Sequence, residues 1–167
     1  MVATEHDLAL LRVVAGWAAD SAARVLPIFQ RAAPADDRPQ AAVASIRTFA
    51  EGAPRVHRLR ADSMGAHRAS VNAKDPAAAA AARAAALACS SAWTHLDLLH
   101  TGHQHPHIIG AAAYADLARP GEVSWAIDHA PDEVRYLIGR IPPLTPGRTA
   151  ISRAYAELDM ALRGPTG

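Results

Sequence analysis

The chain is predicted to fold as an all-α domain, a bundle or array of six to seven helices, and three observations point there. Half of its 167 residues are apolar, much of that as alanine, which has the best helix propensity and is poor in strands. Small side chains also let helix axes approach closely, which suits helix-on-helix packing. No stretch of useful length alternates polar and apolar residues as a half-buried strand would. The length suits one domain with its own core, so residues 1–167 are read as a single unit with a frayed tail at 164–167.

The first helix is expected over residues 5–31. Thr4 with Asp7 resembles a capping box, and Leu8, Leu11, Ala15, Ala18, Ala22 and Val25 then recur at helical spacing. Pro27 predicts a kink or break near Leu26. After a polar loop, Asp37 as cap and Pro39 start a second helix with Val43, Ile46, Phe49 and Ala50 as its stripe, stopped by Gly52. Pro54 opens a third, with Val56, Leu59, Met64 and Val71 as apolar positions. Asp75-Pro76 is a strong start signal for a long fourth helix reaching about His100.

Gly102 and Pro106 punctuate the chain before a fifth helix at 106–119. A less regular stretch follows Arg119-Pro120-Gly121, then a short helix at Asp132–Gly139. Thr145 and Pro146 are expected to cap a last helix carrying Ile151, Tyr155, Leu158 and Leu162.

Seventeen basic and sixteen acidic residues give a formal charge of +1 without a basic stripe, so a nucleic-acid partner has no support. No segment approaches the roughly 20 apolar residues of a membrane span. The single cysteine, Cys89, has no internal disulfide partner, and the charged start MVATEHDLALL lacks a signal-peptide core. A cytoplasmic location is expected.

The most informative polar feature is the histidine cluster His100, His103, His105 and His107. On a continuous helix His100, His103 and His107 share one face, whereas in an extended segment His103, His105 and His107 do. Convergent imidazoles could ligate a divalent metal, with His95 and Asp97 nearby. The alternative is that these rings cap a helix, bond to carbonyls or lie in solvent, because no HExxH or cysteine pair is present. No cofactor is otherwise expected.

Asp36, Asp37 and Arg38 form a second polar cluster, read either as a carboxylate pair or as a cap with a solvated neighbour. Asp20 is expected to pair with Arg24 four residues on. Ser63, Ser70, Ser90 and Ser91 lack a nucleophile turn, and Cys89 is expected to be buried and inert. No phosphate-binding loop is present.

Two blocks, GWAADSAARVLPIFQ with DDRPQAAVASIRTFAEG and then TGHQHPHIIGAAAYADLA, resemble the immunity protein family of bacterial polymorphic toxin systems. The matching positions are Trp17, Asp20, Val25, Leu26, Pro27, Phe29, Asp36 or Asp37, Arg38 and Pro39, then Thr101, His103, His107 and Tyr114. Ser21 stands where that family often has cysteine, and His100 and His105 are additional. The resemblance implies a small helical cytoplasmic protein whose partner is a cognate toxin, with no catalytic constellation. The competing expectation is an enzyme or small-ligand binder with a pocket of Trp17, Asp20, Asp37, Arg38, His103, His107 and Tyr114. Whether the chain is an enzyme stays open at this stage, and a homo-oligomer is compatible with either reading.

Overall fold

The computed structural model describes residues 4–164, so most of the expected tail lies outside the described residues. Eight α-helices and two short 3-10 segments follow one another, with no strand among the described residues. That is one α-helix more than the upper expected count.

Helix α1 (Glu5–Ala32) begins at the expected capping box: Thr4 Oγ1 accepts from the Asp7 N–H at 3.1 Å and Asp7 accepts from the Thr4 N–H at 2.8 Å. It runs through Pro27 to Ala32 without the anticipated break. Helix α2 (Arg38–Ala50) starts at Asp37, but the Asp37 side chain makes no cap bond. Asp36 takes the local donors instead, accepting from the Arg38 N–H and from its guanidinium at 2.8 and 2.6 Å.

Helix α3 (His57–Asn72) starts three residues after Pro54 and, Leu59 apart, turns its expected apolar positions outward. Leu59, Ala66 and Ala69 are buried, while Val56, Met64 and Val71 are exposed. Alanines thus supply the packing face because α3 lies closely against α4.

Helix α4 (Pro76–Ser90) is capped by Asp75, whose carboxylate accepts from the Ala78 N–H at 2.8 Å. It ends ten residues earlier than expected. Ser90, Ser91 and Thr94 each donate their hydroxyl to the carbonyl three residues back, which diverts the chain from α-helical bonding into the 3-10 turn Ser91–Trp93. A second 3-10 segment, Leu96–Thr101, ends at Gly102, whose φ of 75° is a conformation that glycine adopts without strain.

Helix α5 (His105–Ala118) and helix α7 (Asp132–Gly139) lie where the sequence puts them, within a residue. Between them, α6 (Glu122–Asp128) occupies the stretch read as irregular. Its start is fixed from α5, because the Asp116 carboxylate accepts from the N–H groups of Gly121 and Val123 at 2.9 and 3.0 Å. Helix α8 (Ala150–Arg163) is capped by Thr149, not by Thr145 and Pro146.

Helix α4 is buried on almost every side and packs against α1, α2, α3 and α5. Its alanines and Cys89 form one core with Phe29, Ile46, Phe49 and Leu59. A second core joins Val14 and Trp17 of α1 to Ile108 and Ile109 of α5 and to Leu137, Ile138 and Leu158. Helices α1 and α5 contribute to both.

Candidate functional site

The break after α4 decides the fate of the histidine cluster, because its four members leave the chain from a 3-10 turn, a reversal and a new helix. His100 is exposed beside Asp97 and Arg140. His103 is exposed at the rim of a hollow of about 340 Å³ that is also lined by His105, Leu144, Thr145, Ser152 and Tyr155. His107 is half-buried with Nδ1 3.2 Å from Ser90 Oγ, and burial lowers its pKa below the ordinary histidine value. Among the described residues, no three His, Cys, Asp or Glu side chains are placed to hold a metal ion.

His105 is only 2% exposed and has two acceptors. Its Nδ1 lies 3.0 Å from the Gly102 carbonyl and its Nε2 lies 3.0 Å from Asp159 Oδ1. Both ring nitrogens therefore face acceptors, one a carbonyl and one a carboxylate. Asp159, also buried, accepts in addition from the Leu144 N–H at 3.0 Å and from Arg163 at 3.0 and 2.7 Å. Burial opposes its ionisation, but the Arg163, Leu144 and His105 hydrogen bonds outweigh burial and hold the carboxyl below its usual value. The arrangement clamps the start of α5, the loop before α8, and α8 itself.

A second buried carboxylate joins α6 to α1. Glu122 accepts from Arg24 Nε at 2.5 Å and from Arg119 at 2.8 and 2.6 Å. Here too burial would raise the pKa, and the two arginines bring it below the ordinary value. Arg24 lies 4.4 Å over Trp125, which stacks on His129. The expected Asp20–Arg24 pair is therefore replaced: Asp20 is exposed and reaches Arg47 at 3.3 Å.

The remaining expected site residues have separate surroundings. Trp17 is buried and donates its indole N–H to the Ala126 carbonyl at 3.0 Å. Asp37 is exposed, and Arg38 is held by Asp36. Tyr114 sits edge-on to Tyr155 at 6.5 Å. The principal hollows do not gather Trp17, Asp20, Asp37 and Arg38 with the histidines; His103 and His105 border the one at Tyr155, and His100 borders another.

Ser63, Ser90, Ser91 and the thiol are likewise engaged. Ser63 donates to the Ala86 carbonyl at 2.8 Å, and Cys89 donates to the Leu59 carbonyl at 3.0 Å. Burial, with Asp62 nearby, pushes the Cys89 thiol up to about 12, so it carries no appreciable thiolate at neutral pH.

One cavity was not foreseen. About 260 Å³ in volume, it is lined by Asp7, Arg55, Arg60, Trp93, His95 and Asp97, among others. The guanidiniums of Arg55 and Arg60 each lie 4.7 Å from the Trp93 ring, and the buried Trp93 Nε1 has no hydrogen-bond partner. Its parts lie on three separate segments, and nothing in the local sequence links them.

Residues 9–133 match the family model described as Imm-5 like putative immunity protein. That span includes α3, Glu122 and most of the lining of the Trp93 cavity, though not Asp7, and it ends in α7 before Asp159. No curated protein and no solved structure matches the chain.

Proposed function

Since the chain belongs to the Imm-5-like immunity protein family, matched over residues 9–133, we propose that it is a cytoplasmic binding protein that neutralises a cognate bacterial toxin of a polymorphic toxin system. The family match carries the reading. The buried polar groups support it, because His105, Asp159 and Glu122 are engaged in holding helices together. Neutralisation then works by surface occlusion, which needs a rigid helical scaffold and no chemistry. No helix among the described residues is long and apolar enough to cross a membrane.

The test is co-expression with the toxin-like product of the adjoining gene. Growth arrested by that product is expected to recover when this chain is present, and the two purified proteins are expected to form a stable complex. Continued arrest with no complex would overturn the proposal.

A small-ligand reading rests on the hollow between His103 and Tyr155, whose lining is mostly apolar with a few polar groups. It is tested by metal analysis of the purified protein and by thermal shift against ligand libraries. Binding-only function predicts neither stoichiometric metal nor a saturable shift. Zinc, copper or nickel at one per chain, lost in His103→Ala and His107→Ala, would move the choice to this reading.

A further inference from the structure

The outward stripe of α3 is the largest departure of the molecule from its sequence pattern, and it combines exposed apolar side chains with basic ones. At 100° per residue, His57, Arg60, Met64, Arg68 and Val71 share the face opposite Leu59, Ala66 and Ala69. Val71 is 70% exposed and Met64 is 49% exposed. Every formal charge on this face is positive. The one acidic residue of the helix, Asp62, points to the other side, where it is bound by Ser45 of α2 and by Arg58 at 3.1 Å. Arg60 and Arg68 have no carboxylate partner among the described residues.

This face runs about 21 Å from His57 to Val71. At its N-terminal end it meets the Trp93 cavity, because Arg60 belongs to both; the cavity lining is mixed in charge, with Asp7 and Asp97 beside Arg55 and Arg60, so the uniformly positive stretch is α3 itself. Arginine, methionine and tryptophan are the residue types that interface centres favour, and large apolar side chains among unpaired arginines are costly to leave wet. Met160, 72% exposed, stands by contrast among both signs of charge, with exposed Glu157 and Arg153 on the same helix.

We propose that the α3 face, with the Trp93 cavity at its end, is the docking surface for the protein partner, and that the partner presents acidic side chains around an apolar patch. The inference rests on the immunity reading for who the partner is, but the chemistry of the surface stands on its own. A second copy of the chain is disfavoured because two such faces would set arginine against arginine. A nucleic acid is disfavoured because phosphates would leave Met64 and Val71 against a charged backbone.

The test is chemical-shift mapping on the labelled full chain, titrated with a short acetylated helical peptide of glutamate and leucine, a lysine–leucine peptide and a short DNA duplex. The acidic peptide is expected to perturb the amides of Arg60, Met64, Arg68 and Val71 and the indole N–H of Trp93. Arg60→Glu with Arg68→Glu is expected to weaken it about tenfold or more while the variant still unfolds in one cooperative transition. Arg148→Glu with Arg153→Glu makes the same charge change on exposed positions elsewhere and is expected to leave affinity within about twofold. Scattered shifts, equal weakening by both double variants, or tighter binding of the duplex would overturn the surface. In the co-expression assay, rescue that persists in the Arg60→Glu, Arg68→Glu variant overturns the surface alone. Absence of rescue by the natural chain overturns the immunity reading, while the peptide mapping still decides the surface.

Discussion

Asp159→Ala is expected to cost about 3–5 kcal/mol of folding stability, the range for removing one partner of a buried ion pair. The carboxylate is 2% exposed and receives four hydrogen bonds from three parts of the chain. Without it His105 loses the acceptor of its Nε2–H, Arg163 keeps a largely buried charge with no partner, and the Leu144 N–H is left open. In a chain of this length the loss corresponds to a fall in melting temperature of roughly 10 °C. Urea unfolding followed by circular dichroism measures it. A variant within about 0.5 kcal/mol of the natural chain would show that the clamp is incidental. Adding Arg163→Met to Asp159→Ala is expected to recover part of the loss, since it removes the unpaired charge while keeping much of the side chain's volume.

The same clamp sets the acid limit. Asp159 and Glu122 both ionise at lower pH in the folded chain than their ordinary values of 3.8 and 4.5. A carboxyl whose folded value is depressed binds protons less readily folded than unfolded. Its contribution is therefore complete above the ordinary carboxylate range and is lost as pH falls through the depressed folded value. His107 acts in the same direction but starts higher, because its folded value lies below 6.5: as pH falls below that point the unfolded chain takes up the proton first. Stability is expected to decline gently below about pH 6.5 and steeply below about pH 4. The Asp159→Ala variant should show the gentle phase and a shallower acid phase.

Local signals were readable wherever one helix end holds its own partners. The Thr4–Asp7 box, Asp75 before Pro76, and the limits of α7 each depend on residues within one turn of each other. Periodicity also found the large buried side chains of α1 and α2, such as Leu11, Val25, Ile46 and Phe49. It failed on α3 because it weights large apolar residues, whereas the core here is made by close approach of alanines and Met64 and Val71 are left outside.

The candidate site was less legible. His105 and Asp159 are 54 residues apart and Arg24 and Glu122 are 98 apart, so no spacing rule connects them. The histidines form a group in sequence alone. The 3-10 turn and Gly102 then send them to different surroundings, and the most consequential member, His105, was one of the two additional to the family pattern. The seryl carbonyl bonds that end α4 are local, but serines in a helix favour either outcome until packing decides.

Gly110→Ala has an expected effect whose sign is informative. Inside an α-helix the change ordinarily stabilises by close to 1 kcal/mol, because alanine gives up less backbone freedom. At Gly110 the new Cβ would stand 2.7 Å from the Tyr155 hydroxyl oxygen and 3.0 Å from a Leu87 methyl carbon. These contacts lie where α4, α5 and α8 meet, and α4 and α5 are packed too closely to separate without disturbing the alanine core. The substitution is therefore expected to destabilise by about 1–2 kcal/mol, the range for overpacking. The Tyr155 hydroxyl makes no hydrogen bond among the described residues, so Tyr155→Phe alone should cost little, yet it removes the tighter of the two contacts. Combined with Gly110→Ala it is expected to restore part of the loss, giving a coupling of about 0.5 kcal/mol or more by denaturant unfolding. A stabilising Gly110→Ala, or strict additivity with Tyr155→Phe, would mean that α5 shifts freely at this crossing. In that case the rigid scaffold on which the proposed docking face depends would not extend through α4.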